Sequence, residues 1–469
     1  MEPVSAPKRQ GAPAAAGRRR PGPLARLDRL PVWPYEKRLL WVVGAGYFFA
    51  FFDIVTISFA LPVIATQFHT SKGAVSLSVT SSLIGYIIGA IGDAQVADKW
   101  GRRLSLAVSV TVFSVGTALA AVSWNVTSLI IFRFISGLGI GAEIAAVTTY
   151  LGEISPAPLR GRYTSWATTA AYAGFAVVPF VARLLVPNYA AGWRILFGIG
   201  ALGGVTILFM RRGLPASPRW LVAQGRTEEA AELVADAEQT ARDNLDEHEE
   251  LPPPQPVPDE PAAERFPIRT LLRQPMAGRL VLFIGIWFVY YIGNYGWLTL
   301  APTLFTDKGY SLADSTSYLI ISGIGFLAGA FATTRFSDRL ERKYTAALFA
   351  TLWAIALLVI GLAVSPAVII VFGFIASMTV GLLVPLLYTY TAEHFATPAR
   401  ATGVALTDGL GHIGGALAPL IVLAANSAWG FSGAFIVMAV TGLVTAGLVL
   451  MGIRATGRSL ETATVTPGG

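Results

Sequence analysis

Long apolar runs broken by short polar punctuation set the pattern of this chain. Runs of about 20 residues or more lie near 39–66, 75–97, 104–123, 127–151, 163–187 and 192–211, then near 278–305, 314–336, 344–364, 367–391, 401–425 and 429–453. That is six plus six. A helix rising 1.5 Å per residue needs about 20 residues to cross the hydrocarbon core of a bilayer. Lipid offers the backbone no hydrogen-bond partner, and the runs show no strand-like alternation, so each is expected to be a helix. The expected fold is an all-α membrane protein with twelve transmembrane helices in two six-helix bundles. Small residues crowd several runs, as in 136–142 and 409–416, where they let helix backbones approach closely.

The two sets of six are diverged copies. Asp98 and Asp338, Arg102 and Arg342, Glu153 and Glu393, and Arg160 and Arg400 are each 240 positions apart (338 − 98 = 240), and Gly85, Gly89 and Gly141 fall on Gly325, Gly329 and Gly381. Such a parallel repeat in an apolar chain predicts a transporter with its site between the halves.

Composition agrees: 54% of residues are hydrophobic and 13% charged, outside the range of ordinary soluble domains. The net charge of +7 is topological. Lys37, Arg38, Arg102, Arg103, Arg160, Arg162, Arg211, Arg212, Arg339, Arg342, Lys343, Arg400, Arg454 and Arg458 flank one set of helix ends, while Lys72, Arg183, Arg194 and Lys308 are spread over the other. The positive-inside rule puts both termini and the central connection in the cytoplasm of a plasma-membrane protein. No nucleic-acid partner is expected. With no cysteine, disulfides, thiolate metal sites and a cysteine nucleophile are excluded. No phosphate-binding loop or HExxH motif is present, so no enzyme, metal or cofactor is expected.

Residues 1–38, rich in Pro, Ala and Arg, read as a disordered cytoplasmic tail. No secretory signal precedes the first run, which itself serves insertion. The bundles are expected at 39–211 and 278–453, with a second tail at 454–469. The connection at 212–277 is expected to hold short helices: Ser217-Pro218 opens one and Thr227 is a cap for a second, whose apolar face is Ala230, Leu233, Val234, Ala237 and Ala241. An acidic, proline-rich spacer follows.

An ionisable group inside a membrane helix is costly and needs a reason. Asp53 stands alone in the first run, and Arg133 opens a glycine-rich face in the fourth that permits close approach. Together they are the candidate proton-coupling pair, with a static helix-pinning pair as the alternative. Glu143, ten residues on, is either a second titratable group, a substrate contact, or the partner of a polar neighbour. Asp408 and His412, four apart in the eleventh run, have Thr168 and Tyr172 as their repeat positions. That asymmetry suits proton relay or anion binding, and equally a satisfied buried pair. Trp166, Tyr172, Tyr290, Tyr291, Asn294 and Tyr388 are candidate substrate contacts, since aromatic and amide groups stack on and hydrogen-bond to planar solutes. Asp98, Arg102, Arg103, Glu153, Arg160, Arg162, Asp338, Arg342, Glu393 and Arg400 at the basic helix ends are the candidate gate network between bundles.

These phrases resemble the major facilitator superfamily over about residues 39–461. Asp98, Gly101, Arg102 and Arg103 are similar to its loop motif between helices 2 and 3, with Ala94 where glycine is usual. Tyr150-Leu151-Gly152-Glu153, Arg160-Gly161-Arg162 and Pro215-Ala216-Ser217-Pro218-Arg219 resemble the sugar-porter-like branch. The paired Gln of helix 7 and the Trp of helix 10 that contact sugar in true sugar porters are absent. Tyr388-Thr389-Tyr390-Thr391-Ala392-Glu393-His394-Phe395 is closer to the niacin and synaptic-vesicle-protein-like members and the metabolite:proton symporters. The resemblance implies alternating access, with an acidic residue of helix 1 opposite an Arg of helix 4 that assists proton transfer. The expected function is proton symport of a small polar organic solute, an organic or aromatic acid such as nicotinate, by a monomer in the bilayer. Sugar:proton symport and a non-transporting sensor of the same fold are the alternatives.

Overall fold

The computed structural model describes residues 21–245, 250–254, 271–274, 276–336, 340–395 and 399–454. Its helices are α1 (Pro23–Asp28), α2 (Lys37–Gln67), α3 (Lys72–Trp100), α4 (Arg102–Ala121), α5 (Val126–Ile154), α6 (Arg160–Leu185), α7 (Gly192–Met210), α8 (Pro218–Ala223), α9 (Thr227–Asp243), α10 (Met276–Asp307), α11 (Leu312–Phe336), α12 (Arg342–Leu362), α13 (Pro366–Glu393) and α14 (Arg400–Met451). Among the described residues eleven helices are long and apolar enough to cross a membrane. The last holds two crossings. Its 52 residues are far more than one passage requires, and Gly430, at φ 68° and ψ −169°, reverses the chain. Gly414 before that point lies against Phe288, and Met438 and Thr441 after it lie against Gly293, so both arms of α14 return to α10. The six-plus-six expectation therefore holds.

Local chemistry sets the helix starts. Ser71 accepts the Ala74 N–H at the head of α3, Asn125 and Ser128 form a capping box on α5, and Ser365 accepts the Val368 N–H on α13. Pro62 and Pro302, and likewise Pro179 and Pro419, lie inside helices 240 apart (302 − 62 = 240), whereas Pro385 inside α13 has Ala145 as its repeat position.

The repeat holds contact by contact. A Cβ placed on Gly85 would meet the Phe134 carbonyl oxygen at 2.3 Å, and one on Gly325 would meet that of Phe374 at 2.5 Å. Gly89 faces Leu138 at 1.9 Å where Gly329 faces Met378 at 2.1 Å, and Gly141 faces Tyr86 at 2.0 Å where Gly381 faces Phe326 at 2.4 Å. In every case the partner is also displaced by 240. These glycines exist so that α3 and α5, and α11 and α13, can touch backbone to backbone.

Between the halves α3 meets the first arm of α14 and α6 meets α11, with α2 beside α10. Thr80 donates to the Ala416 carbonyl at 2.7 Å, and a Cβ placed on Gly323 would fall 3.1 Å from Ala176 Cα. These are the same place in the repeat (176 + 240 = 416).

Residues 21–36 depart from the expected disorder. Leu27 and Leu30 are buried against Val234, Ala237 and Ala241 of α9, and Trp33 packs on Tyr163 with ring centroids 4.2 Å apart. Arg26 and Arg29 each bond Glu238 at 2.7 Å, while Asp28 accepts from Arg219 at 2.5 Å and from the Ala157 N–H at 3.0 Å. Burial alone would raise the Glu238 carboxyl, but the two guanidinium bonds outweigh it and hold it below the usual range. The helices at 218–223 and 227–243 follow the sequence, and Ser217 caps α8 through the Trp220 N–H. Thr227 is the first residue of α9 and not its cap, that place being held by Arg226 without a side-chain bond. Of the spacer expected at 243–256, residues 243–245 and 250–254 are described, with Leu251 packed against the Leu27 and Leu30 cluster and the Pro252 carbonyl accepting from Arg29 at 2.9 Å. Residues 246–249, 255–270 and the tail at 455–469 lie outside the described residues.

Candidate functional site

Three buried polar clusters lie within the bundles, and the sequence singled out a member of each. In the first, Arg133 of α5 donates from Nη1 to Asp53 Oδ2 of α2 at 2.5 Å, and the two side chains are 1% and 0% exposed. Thr117 of α4 donates to Asp53 Oδ1 at 2.9 Å and Ser136 donates to Oδ2 at 3.0 Å. Arg133 Nη2 reaches Ser82 of α3 at 3.3 Å. One carboxylate thus gathers α2, α4 and α5, and the guanidinium adds α3. The expected pair is formed, with hydroxyl partners that the sequence did not single out. Arg133, Ser82, Tyr86, Ile140, Tyr295 and Thr299 line a small cavity walled by both halves.

Glu143 is not part of that cluster. Its carboxylate pairs with Arg211 from the end of α7, Nη1 to Oε2 at 2.8 Å and Nη2 to Oε1, and Ser109 donates to Oε2 at 2.6 Å. Arg211 also holds the Leu106 carbonyl at 2.5 Å. An apolar layer of Ala50, Val110, Phe113 and Ile140 separates this pair from Asp53. Of the readings open for Glu143, the geometry is that of the satisfied pair. Sequence reasoning missed Arg211 because, next to Arg212 at a helix end, it reads as a topological cation.

The third cluster straddles the halves. Tyr291 of α10 and Tyr388 of α13 both donate to Asp408 Oδ1, at 2.6 and 2.7 Å. His412 Nδ1 lies 2.9 Å from the Asp408 carbonyl oxygen and 3.5 Å from Oδ1. The imidazole is stacked on Tyr86 of α3 at 4.3 Å and tilted over Tyr291 at 4.1 Å. Asp408 and His412 therefore do come together with two of the expected aromatic contacts. Tyr86 was missed, since nothing in sequence separates it from core aromatics.

The remaining aromatic candidates divide. Tyr290 and Asn294 are buried in α10, and Tyr290 Oη and Asn294 Oδ1 have no hydrogen-bond partner among the described residues. Such orphans inside a protein mark a place for water or ligand. Tyr172 is stacked on Phe326 across the halves at 6.1 Å. Trp166 is elsewhere: it packs over Gly44 and edge-on to Trp41, filling the α2–α6 groove near the basic end.

The candidate gate residues pair within halves. Arg102 of α4 bonds Glu153 of α5 at 2.7 Å and Asp98 of α3 at 3.1 Å, and its copy Arg342 of α12 bonds Glu393 of α13 at 2.7 Å. Arg103 donates to the Arg212 carbonyl, Arg160 approaches Asp28 at 3.7 Å, Arg400 donates to the Ala392 carbonyl at 3.1 Å, and Arg162 lies over the Tyr163 ring. Asp338 lies outside the described residues. The ion pairs named here stitch helices inside each bundle, where the sequence led us to expect links between bundles.

Links between bundles occur at the other end. Lys72 pairs with Asp307, and Arg183 Nε donates to Ser317 Oγ at 3.0 Å. Nearer the basic end Gly409, two turns from Ala416, has no heavy atom within 4 Å of a Cβ position.

The family described as Major Facilitator Superfamily matches residues 43–407 and 319–466. The niacin transporter of Acinetobacter baylyi is 30% identical over 442 residues, covering 93% of this chain and 98% of the relative. The 4-hydroxybenzoate transporter of Pseudomonas aeruginosa is 27% identical over 440 residues, covering 92% and 95%. Among solved structures, the xylose transporter of E. coli in a partially occluded inward-open conformation superposes with a TM-score of 0.72 at 19% identity, covering 90% of this chain and 99% of that one.

Proposed function

The chain belongs to the major facilitator superfamily and is a membrane transporter and not an enzyme, and from that premise we propose that it is a proton symporter of a small aromatic carboxylic acid. The observation that carries the coupling is the wholly buried Asp53–Arg133 pair, whose Arg133 stands at the wall of a cavity shared by both halves. Ionised, Asp53 binds α4 and α5 to α2 through three donors. A proton on Asp53 removes the charge that holds Arg133, loosens that tie and leaves the guanidinium free to face the cavity. Proton binding then biases the equilibrium between outward- and inward-open forms, as alternating access requires. Asp408 and His412 are proposed as a second protonatable pair, in the other half.

The basic end is read as cytoplasmic by the positive-inside rule, which makes this the inward-facing form of a plasma-membrane protein with both termini inside. The pairs of Arg102 with Glu153 and of Arg342 with Glu393 then belong to the open gate, and they regroup across the halves when it shuts. A single chain carries both halves and the cavity between them, so a monomer suffices.

The substrate class rests on three supports: the niacin and 4-hydroxybenzoate relatives, the ring-lined cluster around His412, and the orphan Tyr290 and Asn294 groups. The sugar alternative has behind it a glucose transporter of Staphylococcus epidermidis, 28% identical over 444 residues, and the fold likeness of the xylose transporter, but the paired Gln and the Trp that contact sugar in true sugar porters are absent from this chain. Uptake of labelled nicotinate into proteoliposomes tests the reading. Unlabelled nicotinate and 4-hydroxybenzoate should compete while glucose and xylose do not, and external pH should rise during uptake. Competition by sugars alone, or uptake without proton movement, contradicts it.

A further inference from the structure

Two of the ring contacts between the halves are copies of each other. Tyr86 on His412 and Phe326 on Tyr172 are related by the repeat (86 + 240 = 326, 172 + 240 = 412). One is a phenol on a phenyl ring. The other is built around an imidazole with a carboxylate one turn away, whereas the position equivalent to Asp408 is Thr168. Packing the halves therefore does not call for either Asp408 or His412.

What surrounds these two side chains is a binding site in its own right. Two phenols from different helices converge on one carboxylate oxygen, the donor arrangement that recognises a carboxylate. Beside it a flat ring is held between tyrosines of opposite halves, Tyr86 and Tyr291, and the ring nitrogen is 3.5 Å from the carboxylate. A carboxylate adjoining a heteroaromatic ring is the shape of an aromatic acid. We propose that Asp408 and His412 are a built-in stand-in for the substrate: an aromatic carboxylic acid takes their seat, its carboxylate under the Tyr291 and Tyr388 hydroxyls and its ring between Tyr86 and Tyr291. This rests on the aromatic-acid reading above.

Access and charge both fit. Tyr86 and Tyr295, which border His412, also line the cavity that Arg133 lines, so only these two rings stand between the seat and that cavity. Gly409 leaves free space on the α14 face next to Asp408, into which the displaced side chain can turn. The groups facing Asp408 are Tyr291 and Tyr295 from α10, Tyr388 from α13, Tyr86 and, farther off, Tyr47 from the first half, with His412 on its own helix. None of the tyrosines supplies positive charge at neutral pH. Two carboxylates cannot share the two phenols while both are ionised. Binding of the substrate anion is therefore accompanied by one proton on Asp408, and the bound state carries the same negative charge at this seat as the free one.

The test is calorimetric titration of the purified full-length protein with nicotinate, and with the neutral nicotinamide, at ~pH 6 and ~pH 8, where one decade in affinity per pH unit is the limit for a single linked proton. Wild-type affinity for nicotinate should fall at least about tenfold from the lower to the higher pH. Asp408→Asn should flatten that dependence and bind nicotinate more tightly than wild type at ~pH 8, because the competing carboxylate is gone. His412→Ala should keep or gain affinity, and Tyr388→Phe should lose several-fold. Nicotinamide binding should not vary with pH in either protein. Weaker nicotinate binding in both Asp408→Asn and His412→Ala, with the pH slope of Asp408→Asn unchanged, overturns the proposal while the aromatic-acid reading survives. Absence of binding of any aromatic acid to wild type, with sugar bound instead, overturns that reading itself.

Discussion

Asp53 and Arg133 have glycines as their repeat positions, Gly293 and Gly373, and the second half fills the vacated volume with rings. The Trp353 ring would lie 2.6 Å from a Cβ on Gly293, and the Trp297 ring 3.4 Å from one on Gly373. Even Ser82, a partner of Arg133, keeps its copy Ser322 beside Gly373. The pair was legible in sequence because each charge stands alone in an apolar run. Glu143 was harder, since its partner Arg211 hides at a helix end. Removing one member of a buried pair strands the other at a cost of about 3–5 kcal/mol. Arg211→Ala should accordingly lower the thermal unfolding temperature in detergent markedly. Arg211→Ala with Glu143→Gln should recover part of that loss, and a single substitution without effect would deny that the pair is structural. His394, just past the end of α13, donates from Nδ1 to the Tyr390 carbonyl at 2.8 Å and accepts the Ile453 N–H at Nε2, 3.1 Å. Burial, outweighing the bond to Tyr390, pushes its imidazole down to about 4. A folded value below the unfolded one, about 6.5, means that stability is full above the unfolded value. It should decline by about 1.4 kcal/mol per pH unit as pH falls from there toward the folded value. His394→Gln should remove that part of the acid sensitivity in a denaturation series over the same window.

Among the elements, the helices were legible almost to their ends because span length and the absence of lipid hydrogen bonding leave no other solution. The exceptions have local causes. Gly430 supports a left-handed φ of 68° inside what the hydrogen-bond pattern joins as one helix, which makes two crossings look like one. The stretch 21–36 carries four prolines, at 21, 23, 31 and 34, which break up its apolar residues so that no long helical period shows. It is ordered by Leu27 and Leu30 seated on α9 and by the Glu238 clasp, a tertiary fit that composition does not reveal. Helix contacts explain which glycines matter. Gly89→Ala should destabilise strongly, as its Cβ would fall 1.9 Å from a backbone oxygen of α5. Gly152→Ala, with nothing within 4 Å, should be neutral or stabilise by up to about 1 kcal/mol. Thermal unfolding of the two variants side by side checks the contact assignment, and equal effects would contradict it.

At the scale of the whole molecule, the offset of 240 in sequence became a symmetry of contacts: shared glycines, shared ion pairs and two equivalent seams between the halves. What sequence did not carry was the state of the seams. The pairs of Arg102 with Glu153 and of Arg342 with Glu393 lie within bundles, and the crossing contacts of Lys72 with Asp307 and Arg183 with Ser317 lie at the opposite end. No single sequence encodes which of two arrangements is occupied, because the same residues serve both. The chain has no cysteine, so Lys72→Cys and Asp307→Cys can be bridged selectively by a reducible bifunctional thiol reagent. Bridging should abolish net uptake and reduction restore it; undiminished transport in the bridged protein would show that this seam need not open. The most direct test of the account concerns Asp53. In proteoliposomes with an inward proton gradient, wild type should accumulate labelled nicotinate several-fold above equilibrium, while Asp53→Asn should exchange nicotinate across the membrane without accumulating it. Accumulation by Asp53→Asn equal to wild type, with the same dependence on pH, would contradict proton coupling through the Asp53–Arg133 pair.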